Sequence, residues 1–231
     1  MFKNFYLYIF FLSLFIIIIS FYNEYIFEKN SLLKEKFKLH NDNDIKLILL
    51  GDSILKNNNY VKKDYSIEAF LYKKTDNNSK CFAIDDTIVS SMDLQINKIP
   101  YYLNKENNII FISSGGNDLL NKNVDYWKKN KEALNSLFDE YVKMIDTLKS
   151  KMNKCKIILL DIYYPPTYIN YHSIIKMWNT KINDYYMNKN NGIYSVIPIS
   201  KIISEPSDFI SKIEPSETGG EKIANAILEY Y

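Results

Sequence analysis

Five short apolar runs alternate with amphipathic stretches along most of the chain, and this alternation restricts the fold more than any other feature of the sequence. The runs are rich in Ile and Leu, as expected for strands that are buried on both faces. We place strands at 45–51, 80–84, 108–113, 155–162 and 193–197, and helices at 92–103, 125–152, 170–189 and 217–230. Strands that alternate with helices indicate βαβ units with right-handed crossovers. The sequence therefore predicts an α/β protein of three layers, α/β/α, with a five-stranded parallel sheet of the flavodoxin-like kind.

Composition and charge narrow the class of partner. The formal net charge of the 231 residues is only +2, which gives no reason to expect a nucleic-acid partner. All basic residues are Lys, so the bidentate guanidinium fork that often binds oxyanions and phosphates is missing. The aromatic fraction of 15% is that of a globular chain rather than a disordered one. We expect a single folded domain at 45–231.

The N-terminal part of the chain has the pattern of a membrane segment. Residues 5–22 form an apolar run that is interrupted only by two serines, long enough to cross most of a bilayer as a helix. No small-x-small cleavage site follows, so an uncleaved signal-anchor at 1–27 is favoured over a cleaved signal peptide and over a buried core helix. The polar stretch 28–44 is interpreted as a stalk. The protein is then membrane-anchored or secreted.

The two cysteines, Cys81 and Cys155, each stand close to a predicted strand. No CxxC spacing and no Cys/His cluster is present, so no metal site is expected. Buried thiols are the favoured interpretation. A disulfide stays open if the domain is exported, provided that the two Cα atoms come within about 7 Å.

Two of the predicted strands are followed by polar motifs at the edge where an α/β sheet binds its ligands. The first is Gly-Asp-Ser at 51–53, and the second is Gly-Gly-Asn-Asp at 115–118. Taken singly, the first motif also fits a helix cap and the second a turn. Together they offer a hydroxyl nucleophile at Ser53 and an amide donor of the oxyanion-stabilising type at Asn117.

With these two blocks in this order, the chain resembles the SGNH/GDSL hydrolase family over about residues 45–231. The resemblance implies that Ser53 is the nucleophile of an acyl-serine mechanism and that Asn117 stabilises the oxyanion. Segment 83–87 resembles the block that supplies a second oxyanion donor from a glycine, and here that position is Asp86. The backbone N–H groups of Ser53 and Asp86 are then the expected donors. No cofactor and no metal is implied.

The last block departs from the family pattern of Asp-x-x-His. Glu214 stands in the place of the histidine and Ser211 in the place of the aspartate. A carboxylate is a weaker base than imidazole by roughly two pKa units, although burial can narrow that gap. Glu214 is therefore either the base or orienter of Ser53, or a structural residue. His172 is a possible displaced base, although a packed or exposed histidine is the commoner case.

Further residues near the strand ends are candidates for the pocket wall. They are Asp52, Gly116, Asp118, Asp161, Tyr163 and His172. The resulting hypothesis is a serine ester hydrolase or acyl transferase that acts on a small-molecule, lipid or glycan ester. The alternative is a membrane-tethered, catalytically inactive protein that binds an acylated or glycan ligand. A flavodoxin-like or receiver domain shares the layers but does not account for residues 115–118.

Orientation in the membrane is a separate prediction. We expect the domain at 45–231 to face the lumen or the exterior, because long C-terminal domains are translocated largely regardless of flanking charge. In sealed membranes of known orientation, protease added on the cytosolic side should leave the domain intact. Digestion from the cytosolic side would contradict this orientation.

Overall fold

The computed structural model describes residues 45–231, and the predicted signal-anchor and stalk lie outside them. Five parallel strands form one sheet in the order β2-β1-β3-β4-β5. Their bounds are β1 Leu47–Leu50, β2 Ser79–Cys81, β3 Ile109–Ile112, β4 Lys156–Leu160 and β5 Ser195–Ile197. This is the flavodoxin-like order, in which β1 pairs with both β2 and β3. The predicted fold class is confirmed.

Eight α-helices cover the sheet within this part of the chain. They are α1 Ile67–Lys74, α2 Asp93–Lys98, α3 Gly116–Leu120, α4 Val124–Lys129, α5 Lys131–Lys151, α6 His172–Met187, α7 Ile199–Ile202 and α8 Glu217–Leu228. Single 3₁₀ turns lie at Lys63–Tyr65, Val89–Ser91, Tyr101–Leu103, Ile169–Tyr171, Lys189–Asn191 and Pro206–Asp208. None of the helices within 45–231 combines the length and apolarity needed to cross a bilayer.

Side chains alternate across each strand and so build two separate cores. On one face, Ile48 and Leu50 pack with residues of α2, α4, α5 and α6. On the other face, Leu47 and Leu49 pack with residues of α1, α7 and α8. Every residue of β1 and β3 is buried, which is why these strands appear in the sequence as continuous apolar runs rather than alternating ones.

The helix bounds differ from the predicted ones for local reasons. Ile99 precedes Pro100 and adopts an extended conformation, which ends α2 early. Asn130 leaves the helical region, with φ −121° and ψ 67°, and divides the predicted long helix into α4 and α5. The short helices α1, α3 and α7 were not predicted, because each is too brief for a clear apolar period.

A two-stranded antiparallel hairpin before the last helix was also not predicted. It consists of β6 Phe209–Ile210 and β7 Glu214–Pro215. Asp208, fully buried just before β6, accepts hydrogen bonds from Lys222 Nζ on α8 at 2.7 and 2.9 Å. This ion pair joins the hairpin to α8.

Both cysteines are free thiols and half-buried. Cys81 lies in β2, and Cys155 lies just before β4, where its Sγ donates to the Leu103 carbonyl at 3.3 Å. The favoured reduced state therefore agrees with the structure, although neither thiol is fully enclosed.

Gly51 at the end of β1 is predicted to be essential for folding. Its φ is +140°, and a Cβ there would lie 2.0 Å from the Ser113 carbonyl oxygen at the end of β3. Gly51→Ala should lower the free energy of unfolding by at least about 3 kcal/mol, because neither backbone can move without breaking the sheet. Urea unfolding measures the change.

The matched control is Gly116→Ala, since a Cβ at Gly116 would have its nearest neighbour at 3.9 Å. Its free energy of unfolding should stay within about 1 kcal/mol of the wild type. Equal destabilisation in the two variants would contradict the close-approach argument.

Candidate active site

Ser53 is presented by a tight turn directly after β1. The Asp52 carbonyl accepts hydrogen bonds from the N–H groups of Leu55 and Lys56, both at 3.1 Å, and these close the turn. The Ser53 N–H donates to no other described residue. Ser53 is only 7% exposed, so its hydroxyl faces the interior of the crevice rather than bulk water.

Asn117 reaches the same crevice from the end of β3. Gly115 takes a left-handed conformation, φ +105°, with its Cα against the Trp178 indole, and α3 starts at the next residue. Asn117 is half-buried, and its Nδ2 donates to the Thr87 carbonyl at 3.0 Å. An amide nitrogen carries two hydrogens, so this bond leaves one donor for a ligand.

Glu214 approaches from the hairpin. It is 6% exposed, and its Oε2 has no hydrogen-bond partner among the described residues. Burial raises the pKa of Glu214, the hydroxyl of Ser53 lowers it by hydrogen bonding, and the charges of Asp85 and Asp86 raise it further. The net pKa lies above the ordinary glutamate value, which makes this carboxylate a stronger base than a solvated one.

These three groups line one cavity of about 30 Å³ at the carboxyl ends of β1, β3 and β4. Asp52, Gly116 and Tyr163, which are among the candidates for the pocket wall, also line it. Its apolar wall is formed by Ile54, Leu119, Leu120, Ile162, Pro165 and Ile175. These wall residues were not predicted. The one feature of the sequence that could have indicated them is their position in the segments that follow the strands.

Asp52 contributes a second buried carboxyl to the cavity. Its Oδ1 accepts hydrogen bonds from Ser113 Oγ at 2.9 Å and from the Ile54 N–H at 3.1 Å. Burial raises the pKa of Asp52 to about 7, although these two hydrogen bonds oppose the rise, and the charge of Glu214 adds to it. Below that pH the group is neutral and does not repel negative charge that develops on a bound ester.

Solved structures with this arrangement of strands and helices are known. A GDSL-family lipolytic protein from Veillonella parvula superposes with a TM-score of 0.59 at 18% identity, over 80% of this chain and 97% of that chain. A lipase from a goat rumen metagenome gives a TM-score of 0.61 at 18% identity with the same coverage. Residues 45–231 have the SGNH hydrolase fold.

A third similar structure is that of a carbohydrate esterase whose active site displays divergent catalytic and non-catalytic binding functions. The TM-score is 0.57 at 14% identity, over 83% of this chain and 69% of that chain. No protein-family model and no curated protein matches the sequence. The likeness therefore establishes the fold, and the chemistry has to be argued from the site.

Asp86, expected as the second oxyanion donor of this SGNH fold, is placed differently. It is exposed, with φ +58°, and its N–H donates to Asp85 Oδ1 at 3.0 Å. The left-handed turn that brings the two residues into this contact uses the donor within the loop. The Asp86 N–H is therefore not free to bind a developing oxyanion, which corrects the expectation.

Three of the expected pocket residues do not line the cavity, because each has a partner elsewhere. Asp118 Oδ2 accepts from the Val89 N–H at 3.0 Å. Asp161 accepts hydrogen bonds from both the N–H and the hydroxyl of Ser200 at the start of α7. His172 Nε2 lies 2.9 Å from the Pro165 carbonyl oxygen, and its ring packs on Tyr164. Within residues 45–231, no group of three metal-ligating side chains is close enough to hold an ion.

The raised pKa of Asp52 predicts a pH-dependent cost to stability. Between about pH 4 and about pH 7 the native state keeps a proton that the unfolded chain has lost, so the free energy of unfolding falls as pH rises. Asp52→Asn keeps the acceptor for Ser113 and Ile54 and cannot ionise. Relative to the wild type, this variant should gain at least about 1 kcal/mol in unfolding free energy between about pH 4 and about pH 8.

Urea unfolding at the two pH values measures this difference. The matched control is Asp139→Asn on the exposed face of α5, which should shift the free energy of unfolding equally at both pH values. A pH-independent effect of Asp52→Asn would contradict the buried neutral carboxyl.

Proposed function

We propose that residues 45–231 form an SGNH/GDSL-type serine ester hydrolase, or an acyl transferase, that works through an acyl-serine on Ser53. One observation carries the proposal: the Ser53 hydroxyl, the Asn117 amide and the Glu214 carboxylate line the same cavity. Glu214 acts on Ser53 as the base. Two observations support this role: its carboxylate borders the cavity that Ser53 also lines, and the serine hydroxyl is among the groups that lower its pKa.

The first half of the reaction forms the acyl-enzyme. Ser53 Oγ attacks the ester carbonyl carbon while Glu214 takes the hydroxyl proton. The carbonyl oxygen becomes an oxyanion, which accepts hydrogen bonds from Asn117 Nδ2 and from the Ser53 N–H. When the tetrahedral intermediate collapses, the bond to the alcohol oxygen breaks and the proton on Glu214 passes to the leaving alcohol.

The second half regenerates the free serine. Water, or the hydroxyl of an acceptor, gives a proton to Glu214 and attacks the acyl carbon. Collapse of this intermediate returns the proton to Ser53 Oγ and releases a carboxylic acid or a new ester. Each half needs Glu214 ionised at the start, so its raised pKa sets an acid limit to activity.

The dimensions of the cavity favour a small acyl group. A cavity needs about 10–15 Å³ for each water-sized group, so about 30 Å³ accepts an acetyl group more easily than a long chain. Its apolar wall suits a methyl group. The alcohol part of the ester lies outside this cavity, and nothing in its lining selects one alcohol.

A second candidate function is ligand binding without turnover. One observation favours it: the Asp86 N–H is occupied within its loop. A carboxylate is also a weaker base than imidazole. The similar carbohydrate esterase, whose active site displays a non-catalytic binding function, supports the same candidate. The two functions differ in whether Ser53 becomes acylated.

Turnover of p-nitrophenyl acetate by the full-length protein tests the proposal. Ser53→Ala should lose at least about 1,000-fold in kcat/KM and all labelling by a fluorophosphonate probe. Glu214→Gln, which keeps the shape but not the base, should lose at least about 100-fold and lack the acid limb of the pH–rate profile.

The controls are Ser90→Ala, at an exposed serine, and Glu217→Gln, at the first residue of α8. Both should match the wild type. Equal rates in wild type and Ser53→Ala, with no labelling of Ser53, would reject the hydrolase and leave the binding function. A large gain in kcat/KM when Glu214→His is combined with Ser211→Asp would indicate that the natural site is catalytically inactive.

A further inference from the structure

The hairpin turn that precedes Glu214 is held in an unusual backbone conformation. Ser211 and Lys212, which join β6 to β7, have φ values of +49° and +79°. Residues other than glycine rarely adopt this left-handed region, and they remain there only where surrounding contacts enforce it. The structure must therefore contain groups that hold this turn.

Two side chains from the loop after β4 provide these contacts. The Tyr163 hydroxyl donates to the Ile213 carbonyl, and Thr167 Oγ1 donates to the Lys212 carbonyl at 2.7 Å. The Tyr163 ring also packs edge-on against Phe209 of β6, with ring centroids 5.3 Å apart. The loop after β4 therefore contacts the hairpin at its turn, through the carbonyls of two successive residues, and at β6, through Phe209. The carbonyl that Tyr163 binds belongs to the residue just before Glu214.

The Glu214 carboxylate interacts with the Ser53 hydroxyl, the group that it would activate. Its Oε2 is buried and has no hydrogen-bond partner among the described residues. Ser211, at the position where the resembled family has an orienting aspartate, is exposed and lies in the turn. The direction of the carboxylate therefore depends on the position of its backbone, and the Tyr163 and Thr167 hydrogen bonds help to fix that position at the turn.

We propose that Tyr163, supported by Thr167, is a positioning residue that holds Glu214 against Ser53 through the backbone of the hairpin turn, in place of the missing orienting acid. This inference rests on the proposed esterase function. Tyr163 acts through Ile213 and does not exchange a proton with the substrate, because its hydroxyl is already donated to that carbonyl.

Loss of the hydrogen bond has a specific electrostatic signature. The groups that act on the Glu214 carboxylate are Ser53 in the turn after β1 and Asp85 and Asp86 in the loop after β2. The charge of Glu214 acts in turn on Asp52, Tyr60 and Tyr163. A hairpin released from the loop would let water reach the carboxylate, which removes the main cause of its raised pKa.

The test compares Tyr163→Phe, which keeps the ring against Phe209, with Tyr164→Phe. The Tyr164 hydroxyl makes no hydrogen bond to another described residue, and its ring packs on His172 instead. For p-nitrophenyl acetate, Tyr163→Phe should lower kcat at least about tenfold with KM within about threefold, because the loss affects the transition state and not binding. The acid limb of its pH–rate profile should move to lower pH by at least about half a unit. Tyr164→Phe should match the wild type.

A carbon-13 NMR titration of the Glu214 carboxyl in the full-length protein separates this proposal from the proposed function. The pKa of Glu214 should fall in Tyr163→Phe even if the protein hydrolyses no ester. Absence of Ser53 labelling in the wild type would contradict the esterase function and leave the positioning role standing. Wild-type values of both kcat and the Glu214 pKa in a folded Tyr163→Phe would overturn the positioning role. If that variant does not fold, Thr167→Val is the second test, because Thr167 is exposed and its substitution should leave the fold intact. The pKa of Glu214 should fall in this variant too, by a smaller amount.

Discussion

The direct pairing of β1 with β3 is the constraint on which the candidate site depends. Leu50 lies beside Ile112, and both strands point the same way, so the residues that follow them leave the sheet at the same edge. β2 lies on the other side of β1, which makes this edge the point where the strand order reverses and a crevice opens. Gly51 permits the close contact of the two strand ends. Ser53 and Asn117 line the same cavity because of this register.

The chemistry of the crevice follows from the burial of two carboxyl groups without a cation beside them. Within residues 45–231, the ion pairs Lys149–Asp146 and Lys222–Asp208 do not involve Asp52 or Glu214. Burial raises the pKa of both groups. The charge of Glu214 raises that of Asp52 further, and the charges of Asp85 and Asp86 raise that of Glu214. A neutral Asp52 tolerates an oxyanion nearby, and the raised pKa makes Glu214 a stronger base than a solvated glutamate. Both effects favour the proposed chemistry.

The hairpin β6–β7 connects this chemistry to the rest of the fold. Asp208 fastens its start to α8, and the loop after β4 fastens its turn. Under the proposed function, both attachments hold the backbone of Glu214 at the cavity that Ser53 also lines. The proposed base is then placed through hydrogen bonds to its hairpin rather than through contacts of its own carboxylate.

The sequence by itself determined the layered α/β architecture, because strands buried on both faces must be apolar throughout and the helices between them must be amphipathic. It also determined that Ser53 and Asn117 lie just after strand ends. Only the tertiary structure decided the partners of the polar groups. The Asp86 N–H donates to Asp85, and the Tyr163 hydroxyl donates to the Ile213 carbonyl. Three further candidates, Asp118, Asp161 and His172, do not line the cavity and bind other partners. Periodicity reports which face of an element is buried. The partner of a polar group is set by contacts between residues far apart in the chain, and no local pattern records them.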